Sequence, residues 1–307
     1  MKTAERLRSG TRASALARWQ TARVAEALRE RTGAATEEVL VSTEGDRDQV
    51  RPLPEIGGKG VFTEALEAAL RAGTIDFAVH SLKDLPTEIA DDLVVPAVFF
   101  RTDPRDVLIA APGTTLTSLP PGAQVGTSST RRAAQLRAVR PDLTLLPLRG
   151  NVDTRVRKVR LGAYDAVVIA AAGVLRLGLE DAIADYLPFD TMLPAPGQGA
   201  LAVQCRAADE ATRNVLASLD DLAVHVATDA ERAFLDALGG GCAAPIAALA
   251  EPSPSQNGEF RLRGLVASED GRELVRVDGH APLEDLVALA RRLAQQAIDA
   301  GARSLLT

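Results

Sequence analysis

The middle of the chain alternates short apolar runs with segments of helical spacing, and this alternation constrains the fold more than any other feature. AQVGT, LTLLPL and DAVVIAAAGV are β-rich runs, and SSTRRAAQLRAVR and NVDTRVRKVRLG between them have helical spacing. A strand–helix–strand order is typical of a parallel sheet covered by helices. The sequence therefore predicts an α/β fold that binds ligands at the carboxyl ends of its strands, where loops lead into helices.

A similar unit precedes this one. VFTEALEAAL is helical in its spacing, Gly73 is a plausible stop, and IDFAVHS is a short β-rich run that ends in Ser81, Lys83 and Asp84. Since 307 residues are too many for one ordinary core, the length favours two or three domains.

The pattern changes after about Ala200. ALAVQCRA is a predicted strand, and TDAERAFLDALGGG is a predicted helix with Thr228 or Asp229 as its N-cap. FRLRGLVASEDGRELVRVDG predicts a hairpin, and LEDLVALARRLAQQAIDAG predicts a long closing helix. These elements favour a small α+β domain at the end of the chain.

Bulk composition excludes several classes of protein. A net charge of −6 argues against nucleic acid as a partner, and no segment has the length and composition of a membrane span or a signal peptide, so we expect a cytoplasmic protein. The two cysteines, Cys205 and Cys242, are not expected to pair in that compartment. The three histidines are scattered, and no Cys/His cluster has zinc spacing, so no metal is expected.

Positive charge is concentrated in the middle of this acidic chain, which indicates a local anion pocket. GTSSTRR and LRGNVDTR place hydroxyl groups and arginines at two predicted helix N-termini, where free N–H groups and guanidinium groups favour a carboxylate or phosphate. The alternative for each motif alone is a helix cap with solvated arginines. The cluster consists of Arg131, Arg132, Arg137, Arg140, Arg149, Arg155, Arg157, Arg160 and Arg176.

Two further motifs carry candidate chemistry. In HSLKDLPTE, Asp84 follows a predicted buried strand and is a candidate acid or ligand for an N–H group, with Lys83 favouring its ionised form; the alternative is an ordinary turn residue. GGKG, at residues 57–60, lacks the spacing of a phosphate loop and is interpreted as a mobile lid.

Cys242 lies in the bare loop LGGGCAAPI, directly after a predicted helix. Most free cysteines are small buried hydrophobic residues, which is one interpretation. A helix C-terminus disfavours a thiolate, so a conventional nucleophilic cysteine is also disfavoured. A thiol that reacts once with a strong electrophile remains open.

Taken in order, ten motifs resemble the porphobilinogen deaminase family, also called hydroxymethylbilane synthase, from about Leu7 to the closing helix. The motifs are TRAS, TEGD, GGKG, HSLKDLPTE, DPRD, GTSSTRR, LRGNVDTR, AAGVLRLG, LPAPGQGA and GGGCAAPI. The resemblance implies two α/β domains similar to periplasmic binding proteins, with the active site in the cleft between them, and a third small α+β domain. It places domain 1 at residues 1–99 plus 200–218, domain 2 at 100–199 and domain 3 at 219–307.

The resemblance also implies the reaction. Four porphobilinogen molecules are joined head to tail with release of ammonia, and the linear hydroxymethylbilane is then hydrolysed off. The primer is a dipyrromethane cofactor on a thioether, here to Cys242, and Asp84 is the carboxylate that stabilises the azafulvene cation formed when ammonia leaves. A monomer is implied, with porphobilinogen as its small-molecule partner and neither nucleic acid nor membrane as a partner.

Anion-binding roles follow from the same resemblance, and three positions depart from the commoner family pattern: Glu55, Thr130 and Ala243. The cofactor-binding residues are Ser81, Lys83, Thr127, Ser129, Arg131, Arg132 and Arg155. The substrate-binding residues are Arg12, Ser14, Gln20, Arg149, Arg176 and Gln198.

Two other classes of protein are open to test. A non-enzymatic anion-binding protein would explain the fold and the arginines, but it predicts a secretion signal and has no use for Asp84 or Cys242. A cysteine hydrolase would pair Cys242 with His225 or His280, and it is disfavoured by the position of the thiol after a helix C-terminus.

Overall fold

The chain forms two compact units in a computed structural model that describes residues 6–43, 63–241, 244–254 and 258–306. Unit 1 comprises Met1–Arg101 and Ala200–His225, and unit 2 comprises Thr102–Gly199 and Val226–Thr307. The predicted lid at residues 57–60, Glu55, Cys242 and Ala243 lie outside the described residues. The division into three domains stays a prediction.

Unit 1 is built on a five-stranded sheet of β1 (Leu7–Thr11), β2 (Thr36–Leu40), β3 (Phe77–Ser81), β4 (Leu93–Phe99) and β10 (Leu201–Arg206). The order across the sheet is β2-β1-β3-β10-β4. β1 is parallel to both β2 and β3, whereas β10 is antiparallel to β3 and β4. The returning segment after residue 199 thus supplies a central strand of this sheet.

Helices cover the sheet of unit 1. α1 begins after the N-cap Ser14 and ends at Gly33, whose φ of 73° is the left-handed conformation that glycine adopts most readily. The apolar core includes Leu28 from α1, Phe77 from β3 and Val203 from β10, all fully buried. The helices of unit 1 are α1 (Ala15–Thr32), α2 (Glu64–Arg71), the 3-10 turn η1 (Leu82–Asp84) and α6 (Glu210–Ala217).

Unit 2 contains a second five-stranded sheet of β5 (Asp106–Ala110), β6 (Gln124–Gly126), β7 (Thr144–Leu146), β8 (Ala166–Ala170) and β9 (Ile183–Tyr186). The order is β7-β6-β8-β5-β9, in which β6 is parallel to β7 and β8, and β5 is antiparallel to β8 and β9. Its connecting helices are α3 (Thr130–Val139), α4 (Val152–Arg160) and α5 (Ala171–Arg176). The predicted α/β alternation is confirmed.

The second sheet of unit 2 has three antiparallel strands, β11 (Ile246–Pro252), β12 (Glu259–Ala267) and β13 (Leu274–Pro282), in that order. α7 (Leu222–Ala237) and α8 (Leu286–Asp299) enclose a core with this sheet. The predicted hairpin and closing helix are confirmed, and so is the presence of a small α+β part in the predicted fold class.

The predicted start of α7 is wrong. Asp221 accepts hydrogen bonds from the amides of Ala223 and Val224, so the helix begins at Leu222, and Thr228 lies buried within it. The segment LAVHVA continues the helical pattern backward, and an aspartate just before it caps the free amides at least as well as Thr228 would.

Candidate active site

The carboxyl edge of the unit 1 sheet brings several predicted site residues together. β1 and β3 are parallel neighbours, with Ser9 beside Phe77 and Gly10 beside Ala78. Arg12 directly follows β1, and Ser81 ends β3, so both lie at the same edge of the sheet. The predicted ligand residues of this half of the chain therefore belong to one region.

Two of these side chains are bound by the protein itself. Gln20 is buried on α1 and its Nε2 donates to the Oγ of Ser81 at 2.7 Å, which fixes the serine at the end of β3. The hydroxyl of Ser14 accepts from the amide of Ala17 at 3.3 Å and so caps α1. Ser14 thus has a structural role in addition to the predicted substrate contact.

Asp84 ends the short turn η1 that follows β3. The turn is fixed on both sides, because the amide of Leu82 donates to the carbonyl of Ala200 at 3.0 Å and Leu85 is buried. The Asp84 side chain is exposed and, among the described residues, forms no hydrogen bond or ion pair. The fixed turn therefore presents an available carboxylate.

In unit 2, the loop after β6 leads into the N-terminus of α3. Ser129 is the N-cap, and its Oγ accepts from the amide of Arg132 at 3.4 Å. Thr127 is buried, and its Oγ1 accepts from the amide of Ser129 at 3.2 Å. Both predicted cofactor-binding hydroxyls thus lie where α3 begins.

The next loop is tied to this one by a residue that the motif analysis did not single out. The hydroxyl of Ser128 donates to the carbonyl of Leu148 at 2.8 Å and accepts from its amide at 2.8 Å. This pair of bonds joins the loop after β6 to the loop after β7. Arg149 is the residue next to Leu148, so its backbone position depends on Ser128.

The second loop turns sharply into α4. Gly150 has a φ of 113°, which a residue with a side chain rarely adopts. Arg155, in the first turns of α4, donates from Nε to the carbonyl of Gly150 at 2.8 Å, and Lys158 donates to the carbonyl of Arg149 at 3.0 Å. Helix α4 therefore holds the loop through its own basic side chains.

Arg131 and Arg132 both contact Asp106, the first residue of β5. Nη1 of Arg131 lies 2.8 Å from Oδ2 of Asp106, and Nη2 of Arg132 lies 2.7 Å from Oδ1. Burial alone would raise the pKa of Asp106, but the two guanidinium groups outweigh it and hold that pKa well below its usual range. The sequence-based prediction had no acidic partner for this arginine pair.

Arg176 and Gln198 also bond within unit 2. Nη2 of Arg176 donates to the carbonyl of Gly199 at 2.6 Å, and burial lowers the pKa of Arg176 to about 10. Nε2 of Gln198 donates to Oδ1 of Asp106 at 2.9 Å and to the carbonyl of Pro104 at 2.7 Å. Asp106 is thus a common partner of three predicted ligand residues.

The loop that carries Cys242 is described on both sides of the cysteine. Gly239 has a φ of 68° and ends the helical segment, and a Cβ on Gly240 would overlap the side chain of Ile246. A Cβ on Gly241 would meet none of the described residues within 4 Å. Within the described part of the chain, the glycine that precedes Cys242 therefore has room beside it.

Asp106 and Ser128 are the two site residues that sequence reasoning missed. DPRD is one of the ten motifs, but the resemblance gives Asp106 no role, and the first serine of GTSSTRR, Ser128, was not distinguished from its neighbours. The one usable signal was a carboxylate at the start of an apolar run, because a charge at the edge of a buried strand needs a partner.

The fold is that of an α/β protein in which unit 1 has an available carboxylate after β3, and unit 2 has arginine-bearing helix N-termini after β6 and β7, which are suited to an anionic ligand. In the described part of the chain, none of the helices combines the length and apolar character needed to span a bilayer. The same residues contain no cluster of three or more His, Cys, Asp or Glu side chains suited to a metal ion.

Comparison with known proteins specifies the class. The chain belongs to the porphobilinogen deaminase family: residues 7–214 match the model described as "Porphobilinogen deaminase, dipyromethane cofactor binding domain", and residues 226–299 match "Porphobilinogen deaminase, C-terminal domain". The activity that defines this family is the polymerisation of porphobilinogen by a transferase of tetrapyrrole biosynthesis, with dipyrromethane as cofactor. The resemblance found in the motifs is confirmed, and neither the hydrolase nor the non-enzymatic binder agrees with it.

Relatives match over nearly the whole chain. A porphobilinogen deaminase of Roseiflexus sp. (strain RS-1) is 51% identical over 298 residues, which are 97% of each chain. Porphobilinogen deaminase 1 of Streptomyces coelicolor is 47% identical, covering 99% of this chain and 98% of the relative. Among solved structures, a periplasmic substrate-binding protein of an ABC transporter from Coxiella burnetii aligns with a TM-score of 0.44 and 16% identity, over 71% of this chain and 94% of the other.

Proposed function

We propose that Asp84 is the catalytic carboxylate of this transferase and that the arginines of unit 2 bind the acidic side chains of the growing product. One observation carries the proposal: Asp84 is exposed on a fixed turn and, among the described residues, its carboxylate is not used in the fold. A carboxylate that the protein does not neutralise is available to a cationic or N–H-bearing substrate.

The chemistry requires such a group. When porphobilinogen loses ammonia, the C–N bond of its aminomethyl arm breaks and positive charge spreads over the pyrrole ring. The carboxylate of Asp84 stabilises that charge and accepts a hydrogen bond from the pyrrole N–H. A pyrrole carbon of the growing chain then forms the new C–C bond and loses its proton. When bound, dipyrromethane supplies the carbon to which the first substrate is joined.

The residues of unit 2 fit a ligand that carries carboxylates. Arg131 and Arg132 share a single acidic partner, Asp106, so the three side chains together keep one positive charge. Guanidinium forks bind carboxylates in a defined orientation, as a chain of acetate- and propionate-bearing rings requires. We assign the cofactor to Ser81, Lys83, Thr127, Ser129, Arg131, Arg132 and Arg155, and the incoming substrate to Arg12, Ser14, Gln20, Arg149, Arg176 and Gln198.

Cys242 serves as the tether in this proposal. The room beside Gly241 supports it, since a Cβ at that glycine would meet no atom of the described residues within 4 Å. A thioether that persists through every turnover does not need an activated thiolate, so a position after the end of α7 is compatible with this role.

The test compares two exposed carboxylates of the same segment, through the variants Asp84→Asn and Glu88→Gln. We expect Asp84→Asn to keep its stability and its cofactor adduct, seen as added mass on the intact protein, and to lose turnover of porphobilinogen by about 100-fold or more. Glu88→Gln keeps both adduct and turnover. Near-normal turnover by Asp84→Asn removes Asp84 from the mechanism, and a wild-type protein that is fully active without an adduct removes Cys242 as the tether.

The quaternary state and the compartment belong to the same proposal. We expect a cytoplasmic monomer, as the family resemblance implies. Light scattering of the purified protein measures its mass, and a dimer at micromolar concentration would contradict the first expectation. Fractionation of the source cells tests the second.

A further inference from the structure

The carboxylate of Asp106 gathers three ligand residues from two segments of unit 2. Oδ1 accepts from Nε of Arg132 at 3.1 Å, from Nη2 of Arg132 at 2.7 Å and from Nε2 of Gln198 at 2.9 Å, while Oδ2 accepts from Nη1 of Arg131 at 2.8 Å. Asp106 is 0% exposed, and the side chains of Arg131 and Arg132 are 5% and 8% exposed. This buried ion cluster thus places three charged side chains in the interior of unit 2.

The two arginines are not equivalent within the cluster. All three nitrogens of Arg132 bind the protein, because its Nη1 also donates to the carbonyl of Val168 at 3.3 Å. Arg131 uses Nη1 alone, for Asp106 and for the carbonyl of Leu193 at 2.7 Å. Within the described residues, Nε and Nη2 of Arg131 donate to no acceptor. Arg131 therefore keeps one side of its guanidinium fork available.

The net charge of the cluster also limits what it can bind. Two buried guanidinium groups at the start of a helix repel each other and the positive end of the helix dipole, and burial penalises both. Asp106 cancels one of the two charges, which leaves one positive charge at the start of α3. One positive charge, with one side of one fork available, is the complement of a single carboxylate.

We propose that Asp106 is a positioning residue for the cofactor: it holds Arg132 as a structural counter-ion and orients Arg131, so that the RR pair binds one ring carboxylate of dipyrromethane and not two. This inference rests on the proposed cofactor-binding role of the two arginines. Asp106 does not touch the ligand; it acts through Arg131 and Arg132, and through the amide of Gln198.

The test uses two double variants of equal net charge, Asp106→Asn with Arg132→Gln and Asp106→Asn with Arg131→Gln. Each removes one acid and one base, so each keeps a single buried positive charge, but only the first retains Arg131. Apoprotein is produced in cells that cannot make porphobilinogen, incubated with porphobilinogen and followed by intact mass for the cofactor adduct. Leu119→Ala, in an apolar core of unit 2 that contains none of the residues of the ion cluster, is the control for lost stability.

The first double variant is expected to fold and to load at least about tenfold faster than the second, because it alone keeps the available guanidinium fork. The single variant Asp106→Asn has two buried positive charges and no counter-ion, so we expect it to acquire the cofactor adduct more slowly than Leu119→Ala at an equal melting temperature. Inorganic phosphate should raise the melting temperature of Asp106→Asn more than that of wild type.

Several results would overturn the inference. One is equal rates of cofactor loading by the two double variants, and another is failure of the first double variant to fold. A third is a loading rate of Asp106→Asn equal to that of Leu119→Ala at the same melting temperature. A wild-type protein that acquires no adduct from porphobilinogen would instead overturn the proposed function, so the two failures are distinguishable.

Discussion

Replacing Ser128 with alanine tests whether one hydroxyl couples the two ligand loops of unit 2. Its Oγ donates to the carbonyl of Leu148 and accepts from the amide of the same residue, both at 2.8 Å. Leu148 is fully buried, so Ser128→Ala leaves a buried N–H group and a buried carbonyl without their partner. Arg149, next in the chain, loses the anchor of its backbone.

The magnitude follows from the burial of the two orphaned groups. Each buried polar group that loses its partner costs about 1–3 kcal/mol, and water that enters beside the exposed Ser128 recovers part of this. We therefore expect Ser128→Ala to lower the free energy of unfolding by about 2 kcal/mol. Ser118 is a matched control, since its Oγ makes the same pair of bonds with Thr115, at 2.8 and 3.1 Å, but Thr115 is exposed. Ser118→Ala should cost about 0.5 kcal/mol or less.

Urea unfolding followed by far-ultraviolet circular dichroism measures both variants. The single tryptophan, Trp19, belongs to unit 1, so its fluorescence does not report directly on unit 2. Hydrogen exchange adds a local measurement, because the amide of Leu148 should lose protection in Ser128→Ala while the core of unit 1 keeps its own. Equal costs for the two serine variants, or an unchanged Leu148 amide, would refute the reasoning.

Three further predictions concern the backbone, pH and thiols. Gly199→Ala should lower the free energy of unfolding by about 2 kcal/mol or more, measured in urea, because φ is 91° and a Cβ would overlap the carbonyl of Thr102. Gly239 also has a positive φ, but its Cβ would meet none of the described residues within 4 Å, so Gly239→Ala should cost less, and equal costs would contradict this explanation. Burial lowers the pKa of His80 to about 4 from 6.5, so the unfolded chain binds the extra proton between these values and stability falls as pH decreases through this range. Between pH 7 and pH 5, the free energy of unfolding of wild type should fall by about 2 kcal/mol more than that of His80→Gln. Parallel plots of the free energy of unfolding against pH would exclude His80 as the cause. Burial raises the pKa of Cys205 to about 11, so iodoacetamide should not alkylate the native holoprotein. The unfolded holoprotein should react with one equivalent, and reaction with two would contradict a thioether on the other cysteine.

Local periodicity predicted most strands and helices, but it did not predict which strands become neighbours. β5 and β10 are each the antiparallel fourth strand of a five-stranded sheet, and each pairs with strands distant in sequence. Such pairings depend on tertiary contacts and not on a local apolar pattern. The start of α7 shows the same limit on a smaller scale, since two acceptable caps, Asp221 and Thr228, both precede helical sequence and only the packed structure selects the first.

The position of a site residue was predictable where a polar side chain directly follows a predicted buried strand. Ser81 and Asp84 were expected after a buried strand, and the structure places them there, although the proposed role of Asp84 still awaits its test. Asp106 was not predictable in the same way. A carboxylate at the start of an apolar run indicates that a partner is needed but not which residue it is, because its charge is neutralised by groups that lie 25 and 26 residues away in the chain.

Counting arginines in a motif therefore overestimates the charge available to a ligand. Arg140 belongs to the same basic cluster in the sequence, yet it binds Asp142 and the carbonyls of Leu116 and Leu119. Arg132 is likewise held entirely by protein acceptors, whereas its neighbour Arg131 keeps part of its fork available. A buried guanidinium must have acceptors before a ligand arrives, or the empty site would be too costly to fold. A buried acid beside such arginines lowers that cost, and we expect the ligand to bind the arginine that this acid does not saturate.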